Sequence, residues 1–110
     1  MRVAVSTEAG EVAQHFGRCS HYTIANIGDG KVLSTQIIAN PGHEPGFLPE
    51  YLARKGVECI IAGGMGSKAE GLFEAKNIRI VLGVTGKVDS VLERFAQGKL
   101  EGSDSLCEHD

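Results

Sequence analysis

Two short runs, residues 57–62 (VECIIA) and 78–82 (IRIVL), constrain this chain more than any other feature. Each is too short for a helix and apolar at nearly every position, so each reads as a strand covered on both faces. Such a strand needs helices above and below it, and both runs lead through a glycine-bearing turn into a helical pattern. After the first come Gly63-Gly64-Met65-Gly66 and a helix predicted over residues 67–76, where Ser67 and Glu70 have the spacing of a capping box. After the second come Gly83-Val84-Thr85-Gly86 and then Val88, Val91, Leu92, Phe95 and Ala96. Their i, i+3, i+4, i+7, i+8 spacing predicts a third helix that ends near Gly98. Strand–helix–strand units of this kind pair in parallel, with right-handed crossovers.

The N-terminal half is organised differently. Residues 2–6 (RVAVS) read as a short strand, followed by a polar, glycine-containing stretch, residues 7–20, too irregular for a core element. A loop of that length is uncommon in a compact domain and is more often functional. Residues 21–27 and 31–38 form a predicted hairpin joined by Gly28-Asp29-Gly30. Turn chemistry fills residues 40–46, and a helix is expected over 48–55, with Pro49 tolerated in its first turn and Gly56 ending it. The expected fold is therefore α/β, with a mixed five-stranded sheet and three helices. The strands near Val57 and Ile78 run parallel to the first strand, and the hairpin extends its other side antiparallel. Open α/β sheets bind ligands beyond the carboxyl ends of their parallel strands. The loops after Ser6, Ala62 and Leu82 should therefore converge on one functional edge.

With 110 residues the chain fits one domain, expected over residues 1–98, and residues 99–110 read as a flexible acidic tail with Cys and His. The net charge of −3 and the scattered Lys and Arg argue against a nucleic-acid partner. No apolar stretch is long enough to span a bilayer, and Ser6, Thr7 and Glu8 interrupt any signal-peptide layout, so a cytoplasmic location is expected. Three cysteines are an odd count, and in a reducing compartment their thiols are free or bind metal.

Soft and borderline donors cluster once. His15-Phe16-Gly17-Arg18-Cys19-Ser20-His21 packs two imidazoles and a thiol into seven residues, a set suited to iron, zinc or copper. Arg18 beside them could lower the Cys19 pKa or balance an anionic cluster. Near the C-terminus, Cys107-Glu108-His109 repeats the spacing of Cys19-Ser20-His21, and His43 could supply a further nitrogen. Cys59, inside an apolar strand, reads as core. Gly63, Gly64, Gly66 and Ser67 lie between a strand and a helix N-terminus, where free N–H groups and a positive dipole end attract anions. The ending GK[ST] of a phosphate-binding P-loop is missing there. Catalytic arrangements are scarce, the one possibility being a Cys19 thiolate paired with His15 or His21.

At His15-Phe16-Gly17-Arg18-Cys19 and again at Gly63-Gly64-Met65-Gly66-Ser67-Lys68-Ala69 the sequence resembles the dinitrogenase iron–molybdenum cofactor biosynthesis family. The resemblance runs from the first strand to the third helix. It implies a ribonuclease H-like fold without nuclease activity, because residues 2–6 carry no metal-binding acid. It also implies that His15, the histidine of the HFG motif, holds a cofactor. His43 with Gly42 and Gly46, and Cys107 with His109, look like short remnants of the family's histidine- and cysteine-rich segments. The leading expectation is a non-catalytic carrier or scaffold for an iron–sulfur or iron–molybdenum-type cluster, with cluster-assembly or acceptor proteins as partners. His15 is its main ligand and Cys19 the next, with Arg18 and the amides around Gly63 to Ser67 balancing charge. The alternatives are a regulatory or protein-interaction module that binds a small anion or a partner protein, and a thiol enzyme using Cys19.

Overall fold

The computed structural model describes residues 1–42 and 46–100. In chain order the elements are β1 (Arg2–Glu8), β2 (Glu11–Val12), β3 (His21–Gly28), β4 (Lys31–Ala39), α1 (Phe47–Arg54), β5 (Cys59–Ile61), α2 (Ser67–Ala75), β6 (Arg79–Val81) and α3 (Val88–Ala96). The sheet is mixed and ordered β4-β3-β1-β5-β6, with β2 attached to β1. As expected, β5 pairs parallel to β1 and β6 parallel to β5, while β3 and β4 extend the other side antiparallel.

Alternation along the central strands explains why nearly every position is apolar. Val3 and Val5 on β1, with Cys59 and Ile61 on β5, join Val88, Val91 and Leu92 of α3. Ala4 and Ile60 point the other way and join Leu48 and Leu52 of α1 and Phe73 of α2. Both faces of the inner strands are thus covered, giving a helix–sheet–helix sandwich in which Cys59 is fully buried, as its sequence position suggested.

Four expectations need correction. The sheet has six strands rather than five, because β2 pairs Thr7 with Val12 and Glu8 with Glu11. A two-residue strand carries no periodicity that a sequence could display. Second, the stretch from 7 to 20 is not outside the core: Ala13, Phe16 and Cys19 are buried at 5%, 8% and 4% exposure. One apolar residue in every three is enough to pin a loop, although the average over the stretch stays polar. Third, the hairpin turn is Asp29-Gly30 alone, with φ of 53° and 73°, and Gly28 is a paired strand residue opposite Lys31. Positive φ at both turn positions is what a two-residue hairpin with right-handed strand twist demands.

Fourth, the capping box does not form. Gly66, with φ −71° and ψ 154°, is the N-cap of α2 and makes no side-chain cap bond, while Ser67 is already the first helical residue. The Glu70 amide donates instead to the Gly66 carbonyl, 3.1 Å away. The helix ends behave as read. Gly56 has φ +81°, and the amides of Gly56 and Val57 donate to the carbonyls of Ala53 and Leu52, which closes α1 with a Schellman motif.

Candidate functional site

The carboxyl edge of the sheet holds a cleft of about 1300 Å³. One wall is the loop from His15 to Arg18, a second is the turn Gly64-Met65-Gly66 with Lys68, Ala69 and Leu72 of α2, and a third is Gly46, Leu48 and Pro49 at the start of α1. Two of the three loops that the topology sends to this edge line it.

The His15 loop is fixed from below and from one side. The Phe16 ring enters the core, 5.2 Å from Phe73 in an edge-on contact and 5.6 Å from Tyr22. Its backbone N–H donates to the Gly64 carbonyl at 2.9 Å, and the Gly63 N–H donates to the Ala13 carbonyl at 3.0 Å. A Cβ on Gly63 would stand 2.9 Å from the Gln14 Cα and carbonyl oxygen, so the loop backbone lies directly on this glycine. At Gly17 the chain turns with φ +84°, and the Arg18 N–H donates to the Phe16 carbonyl at 2.7 Å. That tight γ-type turn is the conformation in which glycine is cheapest. Between these anchors the His15 and Arg18 side chains remain exposed and line the cleft.

The electrostatics favour an anion. Among the described residues the lining includes Arg18, Lys68 and His15 but no carboxylate, in a chain whose net charge is −3. Lys68 is the second residue of α2, so its charge adds to the positive dipole end of that helix. Among the described residues no hydrogen bond takes the N–H of Gly64, Met65 or Gly66. Apolar surface from Leu48, Pro49, Ala69 and Leu72 completes the walls.

The structure divides the residues singled out by sequence. His15, Arg18, Gly64 and Gly66 meet at the cleft. Gly63 is beneath it with its N–H already spent on Ala13, and Ser67 starts α2 without lining the cleft. His21 is exposed but outside the cleft, its Nδ1 2.8 Å from the Ser20 hydroxyl. Cys19 is buried beside Tyr22 and is not part of the lining. His43, Cys107 and His109 lie outside the described residues. Among the described residues no group of three or more His, Cys, Asp or Glu side chains could hold a metal ion.

Cys19 also departs from its expected chemistry. Burial pushes its thiol above the ordinary value, the opposite of the lowering that a neighbouring Arg18 suggested, and burial pushes Cys59 up to about 12. Both thiols are therefore protonated in the folded chain at neutral pH. Ionisation is easier in the unfolded state, so these groups cost no stability at pH 7 and lower it as pH rises past the ordinary thiol range, about 8.5. Iodoacetamide alkylation followed by peptide mapping should find Cys19 and Cys59 at least about tenfold slower than a free thiol at pH 7.5. Rapid, selective alkylation of Cys19 at that pH would restore the thiol-enzyme alternative.

Sequence reasoning passed over Lys68 and Met65. Lys68 was findable as the residue after Ser67 in the GGMGSKA motif, one position into a helix start facing the predicted edge. Met65 brings a thioether, a soft donor, to the same wall. Nothing in its spacing separated it from ordinary core methionine.

Among the described residues no helix is long and apolar enough to cross a membrane. Residues 1–98 match the family described as dinitrogenase iron-molybdenum cofactor. The uncharacterised protein MJ0580 of Methanocaldococcus jannaschii is 31% identical over 106 residues, covering 92% of this chain and 90% of its own. The crystal structure of PH0822 superposes with a TM-score of 0.85 at 30% identity, covering 94% of this chain and 96% of that one. The apo form of the orange protein from Desulfovibrio gigas gives a TM-score of 0.75 at 23% identity over 93% and 92% of the two chains, a likeness of fold.

Proposed function

The chain belongs to the dinitrogenase iron–molybdenum cofactor family, and from that premise we propose that it is a non-catalytic carrier whose cargo is an anionic iron–sulfur or iron–molybdenum-type cluster. The observation that carries this reading is the cleft itself, where, among the described residues, the exposed His15 imidazole, the Arg18 and Lys68 cations and backbone amides that no hydrogen bond takes meet apolar walls with no carboxylate in the lining. Metal–sulfide clusters are soft at the metal and negatively charged overall. His15 supplies the nitrogen ligand, while Arg18, Lys68 and the amides from Gly64 to Gly66 accept the charge. One nitrogen ligand with peripheral charge contacts suits cargo that must leave again, where four thiolates would retain it.

Cys19 is assigned here to the core beneath the loop rather than to the ligand set. His43, in the sequence before α1, and Cys107 and His109, in the C-terminal tail at residues 99–110 outside the domain at 1–98, remain candidate ligands. The order β4-β3-β1-β5-β6 with its antiparallel outer pair supports a ribonuclease H-like description of the sheet. Cargo of this kind is exchanged in a reducing compartment, so the reading includes a cytoplasmic location, with assembly and acceptor proteins as partners.

Anaerobic reconstitution with iron and sulfide, followed by absorption spectroscopy and iron analysis, tests the assignment. Wild type should take up iron with a visible cluster spectrum, and His15→Ala should bind at least about tenfold more weakly, as expected when a metal centre loses a tuned ligand. Equal, small uptake by both proteins would show the cluster reading to be wrong. The same cations also fit a second reading, a regulatory module for a small oxyanion. Calorimetric titration with inorganic phosphate distinguishes it, because that binding would depend on Arg18 and Lys68 but not on His15.

A further inference from the structure

Asn40 is the residue immediately after β4, and it does not line the cleft. Its backbone N–H donates to the Ser20 carbonyl at 2.9 Å, which extends the β3–β4 ladder by one step and brings its side chain to the end of the His15 loop. The carboxamide nitrogen donates to two carbonyls, Gly17 at 3.2 Å and Cys19 at 2.9 Å. Its oxygen accepts the Gly42 N–H at 2.9 Å. One planar group therefore grips the backbone on both sides of Arg18. It also fixes the first residues of the segment that leads, through His43, to the Gly46–Leu48 wall.

We infer that Asn40 is the positioning residue of the cleft, setting the His15–Arg18 loop against the backbone at Gly42. Opposite it, the loop is held by Gly63 and Gly64, and below by the Phe16 ring. Without Asn40 the Gly17 and Cys19 carbonyls on either side of Arg18 lose their side-chain donor, while the anchors at Gly63, Gly64 and Phe16 and the Ser20 bonds to Glu8 and Thr7 remain. The requirement is specific to an amide. Aspartate has the same shape and can still accept the Gly42 N–H, but it cannot donate to the two carbonyls and sets negative charge against them. Serine donates only once, and alanine makes none of the three bonds.

The role in cargo binding rests on the carrier reading, whereas the positioning itself is measurable in the metal-free protein. Amide hydrogen exchange of the full chain, followed residue by residue by NMR, should show Asn40→Asp raising exchange at Phe16 and Arg18 while Gly42 stays protected. In Asn40→Ala all three should rise. Amides of the central strand should move little in either variant. If the loosened loop holds its binding geometry about a tenth of the time, apparent affinity in iron–sulfide reconstitution falls about tenfold. Exchange at Phe16 and Arg18 equal to wild type in both variants would overturn the inference, as would a loosened loop that takes up cluster as tightly as wild type. If wild type takes up no cluster, the carrier reading fails, and the exchange pattern alone decides the role of Asn40. Should Asn40→Ala not fold, Asn40→Asp, which keeps one of the three bonds, carries the test.

Discussion

Replacing Phe16 with alanine is expected to lower the unfolding free energy by about 3 kcal/mol, at the lower end of what removing a buried aromatic ring costs. The ring is only 8% exposed and rests on Phe73 and Tyr22, two of the largest fully buried side chains. Its loss opens a void beside both and frees the loop from the sheet. In a domain of this size the change corresponds to a fall of roughly 15 °C in melting temperature. Phe16→Leu keeps most of the apolar volume and should cost no more than about 1.5 kcal/mol. Denaturant unfolding measures both. A Phe16→Ala midpoint within experimental error of wild type would mean that the loop is not anchored through this ring. Because His15 is the neighbouring residue, cluster uptake should fall in Phe16→Ala further than the loss of folded protein explains.

Gly63→Ala should cost about 2–3 kcal/mol, the upper part of the range for forcing an extra methyl into a filled space. The new Cβ would meet the Gln14 Cα and carbonyl oxygen at 2.9 Å and the Ala13 carbonyl oxygen at 3.1 Å. These are backbone atoms, so no side-chain rotation relieves the contact. The loop must lift, and the bonds from Gly63 to Ala13 and from Phe16 to Gly64 lengthen with it. Gly66→Ala supplies the comparison, since a Cβ there meets nothing within 4 Å and its φ of −71° suits any residue. That variant should lower the melting temperature by no more than about 5 °C, the cost of exchanging a glycine N-cap for alanine. Equal melting of the two variants would show that the glycine turn does not support the loop.

The sheet and helices were largely legible because burial on two faces leaves a dense apolar signature. VECIIA is the inner strand its apolar run predicts, and the third helix announced itself by spacing and by Gly98. IRIVL instead forms the edge strand β6 with Arg79 exposed, a correction to the reading of it as covered on both faces. The site was legible in part. The HFG loop and the glycine turn could be assigned to one edge from topology, and they do meet there. What sequence could not supply was the direction of side chains in an irregular loop, where no period of 2 or 3.6 fixes which residue points inward. Cys19 and His15 looked alike as donors, yet one is 4% exposed and the other lies in the open cleft. Likewise the Ser67–Glu70 spacing suggested Ser67 as the cap, and only the extended backbone angles at Gly66 show that the cap lies one residue earlier. The Asn40 turn was legible, its oxygen accepting the Gly42 N–H, but its bonds to the Gly17 and Cys19 carbonyls were not, because every residue has a carbonyl.

The alternation within the HFG loop has a consequence for change over time. Phe16 and Cys19 point down into the core, whereas Gln14, His15 and Arg18 are exposed. Phe16 and Cys19 answer to the fold, and His15 and Arg18 to whatever occupies the cleft, so the two pairs can vary independently. Substitutions at 15 or 18 can retune what the cleft binds at little risk to folding, and the loop behaves as an exchangeable faceplate on a fixed mount. A designer seeking a new ligand preference would randomise those two positions and leave Phe16 alone.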